Sequence, residues 1–447
     1  MDARPDAVVV DAGPPPPPYG ADVRSLRLRH SVSVRLEPRQ RGGKLLGVIE
    51  SDTRVAWREA ATGPGCPRWI AIAPRGWICD RNLAPTSKPP TDDLWPAVPA
   101  GALMPGVYGH VQADGAKTYK SAAAVRADKP ARVLAGEVSV KQVALVDVDG
   151  KPFWRTQSGE LIDAAQIEVY APSRFHGVHP GQDGVPALPF AWLQSRKDPE
   201  AKVGVRAGPE RGDDVLRKVK PRTLVPVLAV SADGAALRIG AHEWVRAVDA
   251  HVARASDPPP GTAADERWID VDRDEQVLIA WDGRRPAFAT LVSTGRAQFP
   301  TPTGIYRVFL KVAETDMSGQ MADEQPYSVA TVPWTQFFAK DLALHTAYWH
   351  DRFGQPRSHG CVNLSPLDAR ELYFWTAPDV PPGWSAIHGI LEAPGTLVRV
   401  RSAADPTPAF QGYARRIAEA QGPAAPASAP AEPGEEPVDF PGEDAGR

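Results

Sequence analysis

Four side chains capable of acid–base or nucleophilic chemistry crowd into a short stretch of the chain: His345, His350, His359 and Cys361. The stretch takes three of the ten histidines and one of the three cysteines. A thiol attacks only as its thiolate, and a neighbouring imidazole helps by taking the proton or by supplying positive charge. Such a pair suffices for acyl transfer: the thiolate forms a thioester, and the base then activates a second nucleophile. Gly360 beside Cys361 marks a turn whose backbone N–H groups can face an anion, as an oxyanion hole requires. Two other readings use the same residues. His345, His350, His359 and Cys361 are four candidate metal ligands, and the blandest alternative is a buried free thiol amid solvated histidines.

The neighbouring sequence says which elements would hold these groups. Leu342-Ala-Leu344 runs straight into His345 and reads as a buried strand, whereas His350 has charged neighbours and a Gly turn. After Cys361 a helix begins: Ser365 is a good N-cap, Pro366 suits the first turn and Asp368 follows three residues after the cap. Leu367, Leu372 and Trp375 are its apolar anchors. Upstream, 275–281 reads as a strand, Asp282-Gly283 as a hairpin turn and 287–292 as the partner strand. Residues 305–312 read as one further strand.

Ser358-His359-Gly360-Cys361-Val362-Asn363 resembles the signature of the L,D-transpeptidase catalytic domain, and His345, 361 − 345 = 16 residues earlier, suits that family's spacing. Pro300-Thr-Pro-Thr-Gly304 is similar to the family's upstream turn. The resemblance covers roughly 268–402, within a catalytic domain read at 265–402. It implies that Cys361 is the nucleophile and His345 the proton acceptor and donor, with the Thr346 carbonyl orienting the imidazole. It further implies that His359 and Gly360 shape the turn, that the Gly360 and Cys361 amides form the oxyanion hole, and that Asn363 holds the loop. His350, Ser358, Asn363, Arg352, Arg357 and Tyr327 are the expected substrate-binding residues, with His350 a second candidate base. No cofactor and no metal are implied. The implied reaction releases D-Ala from a peptidoglycan stem peptide and passes the acyl group to a diaminopimelate amine, giving a 3–3 crosslink. Transfer to a protein lysine, a free D-amino acid or water uses the same nucleophile. A wall-binding scaffold with an inactive Cys domain is the alternative from another class.

The rest of the 447 residues narrows the setting. Hydrophobic residues make up 43% and charged residues 23%, a globular balance, and the net charge is −3 without a basic block, which argues against nucleic acid. No run approaches the roughly 18 apolar residues of a membrane span. Forty-eight prolines favour a mainly β body. Residues 1–24 read as a disordered Pro-rich leader and 423–447 as a disordered acidic Pro-rich tail. Between them a weak repeat occurs at 25–90, 100–172 and 185–256, with an Arg, a Pro turn, short strands and a Trp: Arg35 and Trp77, Arg126 and Trp154, Arg206 and Trp244. The pattern resembles bacterial SH3-like domains, which implies binding of wall peptide or glycan on an aromatic surface; the alternative makes Trp69, Trp77, Trp154 and Trp244 core residues. The expected fold is therefore an L,D-transpeptidase-type β-sandwich with a short helix, preceded by two or three small SH3-like β-barrels.

Cys66 and Cys79 are 13 residues apart (79 − 66) and suit a disulfide, with two unpaired thiols or part of a metal site as alternatives; either way Cys361 is left over. A bridge persists only in an oxidising compartment. The sequence as written shows no export signal at its start, so a periplasmic or envelope location is expected from the family and the cysteines. The chain is read as a monomer acting on peptidoglycan stem peptides.

Overall fold

The structure is a computed structural model, and it describes residues 18–112, 115–319 and 327–421. The expected leader up to residue 17 and the tail at 423–447 lie outside the described residues. The protein is mainly β. Among the described residues no helix is long and apolar enough to cross a membrane. The chain divides into two compact units, one built from residues up to 97 together with Val380–His388, the other from 98–379 and 389 onward.

In the first unit, Val32–Arg35 pairs antiparallel with Leu45–Ile49 and meets Trp77–Cys79. Alternation in the sequence dictates which face is buried: Val32 and Val34 point inward and Ser33 outward. Cys66 and Cys79 are joined by a disulfide with Cα atoms 5.8 Å apart, and the buried Trp69 ring packs with them. Tyr19 donates to Asp80 and sits edge-on to Trp57 at 5.4 Å, so residues 18–24, read above as leader, pack on this unit. Strand Trp384–His388 also pairs with Leu45–Ile49, although it lies within the expected catalytic range. Gly47 makes that pairing possible, since a Cβ there would sit 2.2 Å from the Ala386 carbonyl oxygen.

Arg35 lies directly opposite Trp77, and Arg206 directly opposite Trp244. The Arg-to-Trp interval of the repeat is thus a cross-strand register. The middle repeat breaks the rule. Val125 and Arg126 sit on a short helix, Ala122–Arg126, because Ser121 caps it and an alanine run favours it. The middle module instead buries Val111, Val140, Trp154 and Ile162.

The third module buries Ala191 and Leu193 among its own strands. The alternate residues, Phe190 and Trp192, join Trp268, Trp281, Leu291 and Phe353 in the core of the next domain. One strand therefore serves two cores, and its four residues are all buried.

That next domain is built on a five-stranded sheet in the order Arg285–Leu291, Val277–Asp282, Arg267–Asp272, Leu397–Arg401, Gly304–Arg307. The hairpin read at Asp282-Gly283 is present, with Asp282 opposite Arg285. Residues 305–312, read as one strand, are two. Gly304–Arg307 pairs with Leu397–Arg401, while Leu310–Gly319 pairs with Tyr327–Ala339. The break comes at Val308 and Phe309, whose N–H groups go to Thr396 and to Phe337 respectively, one in each sheet. Tyr327–Ala339 pairs in turn with Leu342–Thr346, which runs parallel to Val362–Leu364. Helix Pro366–Trp375 starts as the sequence indicates, with the Ser365 hydroxyl accepting from the Asp368 N–H at 3.3 Å.

Lys311 is fully buried beneath that helix's C-terminus, donating to the carbonyls of Thr376 (2.8 Å) and Pro378 (2.9 Å) and facing the Tyr373 ring. Burial pushes its ammonium down to about 7. The unfolded chain therefore binds more protons than the folded one between about pH 7 and the usual lysine value near 10.4, so this site favours folding increasingly as pH rises through that window. Lys311→Met removes the dependence. Thermal melting should show wild type gaining on Lys311→Met between pH 7 and 9; a gap that does not change with pH would mean the ammonium keeps its charge on folding and would refute the lowered pKa.

Candidate active site

Cys361 stands at the head of strand Val362–Leu364, immediately after Gly360, whose φ of +127° is open to glycine alone at low cost. The turn before it is tied by its own side chain. Ser358 Oγ donates to the Cys361 carbonyl (2.5 Å) and accepts from the Gly360 N–H (3.0 Å). The Gly360 N–H expected to serve an oxyanion is thus engaged within the turn, and an oxyanion would have to displace Ser358.

A segment that the sequence reading passed over cradles this turn. Ser293 exchanges both backbone hydrogen bonds with Asn363, and the Thr294 carbonyl accepts from the N–H groups of Arg357 and Ser358. Thr301, inside the Pro300–Gly304 turn, uses one buried hydroxyl twice, accepting from Gly295 N–H (2.9 Å) and donating to the Gly360 carbonyl (2.7 Å). Gln276 wraps Thr294 from behind, meeting its backbone N–H and its hydroxyl. Only the Pro/Gly-rich turn gave a signal in sequence. Ser293, Thr294 and Gln276 work through backbone pairing, which has no residue signature.

His345 lies on the buried strand Leu342–Thr346, opposite Asn363 across the parallel pair. Its Nδ1 is 2.9 Å from the Thr346 carbonyl, so Nδ1 carries the proton of the neutral ring and Nε2 keeps its lone pair. Burial pushes the imidazole down to about 4, against a small opposing effect of that carbonyl. Side chains two apart on a strand share a face, and residues opposed across a pair point the same way, so Cys361, Asn363, Ala343 and His345 lie on one face of the sheet, with Cys361 and His345 a step of roughly 6.6 Å apart along the strand direction. The thiol itself donates to the Asp341 carbonyl at 3.6 Å, and among the described hydrogen bonds none joins it to His345. Burial pushes the thiol up to about 11, partly offset by the Ala343 N–H, while the nearby Asp341 charge adds to the rise. Both shifts favour the neutral forms of the thiol and the imidazole.

His350 is occupied at both nitrogens. Nδ1 accepts from the Arg352 N–H at 3.2 Å, and Nε2 lies 3.1 Å from the Asn363 side-chain amide. The structure sets Asn363 Nδ2 at that distance; a neutral ring accepting at Nδ1 carries its proton on Nε2, so the Asn363 amide must be turned about to present its otherwise unpartnered oxygen there. Burial, with the Arg357 charge second, pushes His350 down to about 4. Its ring packs 5.1 Å from Phe353. Locked in this way, it has no lone pair to offer Cys361.

The remaining expected residues divide. His359 accepts from Arg296 at Nε2 (2.5 Å), stacks on Tyr327 at 5.2 Å and lies 5.1 Å from Phe299, which forms one wall beside the turn. Arg352 and Arg357 are exposed on the loop, tied through their backbones rather than their guanidinium groups. Among the described residues no three His, Cys, Asp or Glu side chains gather as a metal centre would need.

No curated protein sequence matches this chain. Among solved structures, the catalytic domain of an E. faecium L,D-transpeptidase is 24% identical over 31% of this chain and 98% of that one, with a TM-score of 0.24. An L,D-transpeptidase from Mycobacterium smegmatis is 18% identical over 52% of this chain and 95% of that one, with a TM-score of 0.25. A longer Enterococcus faecium L,D-transpeptidase is 18% identical over 45% and 75%, with a TM-score of 0.26. The family model for YkuD, the L,D-transpeptidase catalytic domain, matches residues 266–400, which span the Ser293 cradle, His345 and the Cys361 turn. Residues 266–400 of this chain are an L,D-transpeptidase catalytic domain of the YkuD family.

Proposed function

We propose that the protein is a cysteine L,D-transpeptidase that remodels peptidoglycan stem peptides, with Cys361 as nucleophile and His345 as base. The observation that carries this reading is the pairing of strands 342–346 and 362–364. That pairing supports the reading because a thiol after a positive-φ glycine and an imidazole whose Nδ1 is held by Thr346, leaving Nε2 its lone pair, stand on neighbouring strands. His345 Nε2 takes the thiol proton as Sγ attacks the carbonyl carbon between the diaminopimelate L-centre and D-Ala. The tetrahedral intermediate collapses by breaking the C–N bond, the D-Ala nitrogen receives the proton from His345, and a thioester remains. An incoming diaminopimelate amine attacks that thioester, His345 takes its proton, and the thiol is restored as the 3–3 amide forms. The disulfide between Cys66 and Cys79 supports action in an oxidising envelope compartment.

Labelled tetrapeptide stems test the reading. Incubation with the protein should release D-Ala and yield crosslinked dimers in liquid chromatography–mass spectrometry. Tripeptide alone would make the enzyme a carboxypeptidase with the same nucleophile, and neither product would leave the modules as a binding scaffold.

A further inference from the structure

The loop that joins His345 to Cys361 is held from outside the catalytic domain, and the grip converges on Asp351. Arg222, in the third module, donates from Nη1 to Asp351 Oδ1 (2.7 Å) and from Nη2 to the Asp351 backbone carbonyl (2.7 Å). Ser173, on the connector before that module, donates to the same Oδ1 at 2.6 Å. The Arg222 side chain is largely buried: its guanidinium lies 4.9 Å from the Phe175 ring, which stacks on Phe353 of the loop. Its backbone is fixed too, in the left-handed region at φ +61°, with its N–H donating to the Leu193 carbonyl at 2.7 Å.

What Asp351 holds leads to the thiol in a few covalent and hydrogen-bonded steps. The next N–H, that of Arg352, fixes His350 Nδ1, and the Arg352 carbonyl accepts from Ser293 Oγ at 3.0 Å. His350 meets Asn363, which pairs with the Ser293 backbone and stands two residues after Cys361. Further along the loop, Gly354 lies flush against the third module, where a Cβ would come 2.4 Å from Gln194 Oε1. A bidentate fork onto a side-chain and a backbone oxygen fixes orientation as well as distance, which a lysine ammonium cannot do.

We propose that Arg222 is a positioning residue for acyl transfer at Cys361, acting through Asp351 to set the loop between the base strand and the nucleophile strand. The inference rests on the functional reading above. It gives the third module a part in the reaction that does not depend on wall binding.

The test uses the full chain and the variants Arg222→Ala, Arg222→Lys, Asp351→Ala and the double alanine variant. Three readouts are taken: the second-order rate of acylation by a carbapenem, the rate of Cys361 alkylation by iodoacetamide, and the melting temperature. Misplacement of reacting groups by about 1 Å costs on the order of 100-fold, so Arg222→Ala should slow acylation by roughly that factor. Alkylation needs no aligned base or oxyanion donor and should stay within about twofold of wild type. Arg222→Lys should recover only a minor part of the loss, and the double variant should be no slower than Arg222→Ala, because the two residues act in series. Wild-type acylation in Arg222→Ala overturns the inference while leaving Cys361 chemistry intact. Parallel loss of acylation, alkylation and melting temperature also overturns it, in favour of a purely structural clamp. A wild-type protein that takes up no carbapenem at Cys361 overturns the functional reading itself, and this inference with it.

Discussion

Cys361→Ala should abolish covalent capture of a carbapenem completely, leaving the intact mass unshifted where wild type gains one adduct. The expected effect is total because the other two cysteines are consumed in the disulfide, so no second thiol can substitute. Two hydroxyls at the turn are already committed: Ser358 Oγ to Cys361 and Gly360, Thr301 Oγ1 to Gly295 and Gly360. The replacement is also gentle. Alanine keeps the backbone of the turn and removes one sulfur, so melting should change little. An adduct that persists in Cys361→Ala would move the nucleophile elsewhere and sink the proposed mechanism.

The second large effect belongs to His345. Removing a positioned general base costs typically 100- to 10,000-fold, and His345→Ala should slow acylation by a factor in that range near neutral pH. His350→Ala should slow acylation less than this, by no more than the roughly 100-fold expected of Arg222→Ala, since both its nitrogens serve the loop through which Asp351 acts. The pH dependence separates them further. A base must be neutral to accept a proton, and burial holds His345 neutral down to about pH 4. The acid limb of the wild-type acylation profile should therefore fall near pH 4, well below the value near 6.5 of an ordinary histidine. The thiol, raised to about 11, should make iodoacetamide alkylation climb steadily from pH 7 toward pH 10 without a neutral plateau. A plateau below pH 8 would mean a preformed thiolate–imidazolium pair. Retained acylation in His345→Ala, with loss in His350→Ala, would reverse the two roles.

Local chemistry made part of this protein legible in its sequence. The N-cap at Ser365, the apolar run into His345 and the glycine before Cys361 each follow from a residue's own conformational preference, and each element stands where its residues point. The Arg and Trp of the repeat were visible as an interval, and the interval turned out to be a register. Long-range backbone pairing was not legible. Ser293 and Thr294 hold the Cys361 turn through N–H and C=O groups that every residue carries. Residues 305–312 look uniformly strand-like, and nothing in their side chains marks the step at Val308 from one sheet to the other. The hydrogen bond from Cys361 to Asp341 escaped for a similar reason, since a carbonyl at a strand end takes a thiol whatever its side chain is.

The strand Trp384–His388 gives the first unit an unusual order of assembly. Gly47 and Ile387, paired across that sheet, are 387 − 47 = 340 residues apart. During synthesis residues up to 97 emerge well before Val380–His388, so one strand of this unit appears long after its partners. Until residue 388 is available, strand Leu45–Ile49 has an open edge, and such edges invite pairing with other chains. The unit is therefore completed only after the intervening 98–379 have been made, and its folding rate is tied to closure of a very long loop. A fragment that ends before residue 380 lacks this strand and should be prone to edge-to-edge association, so a soluble version of the first unit would have to carry 380–388 fused back to it.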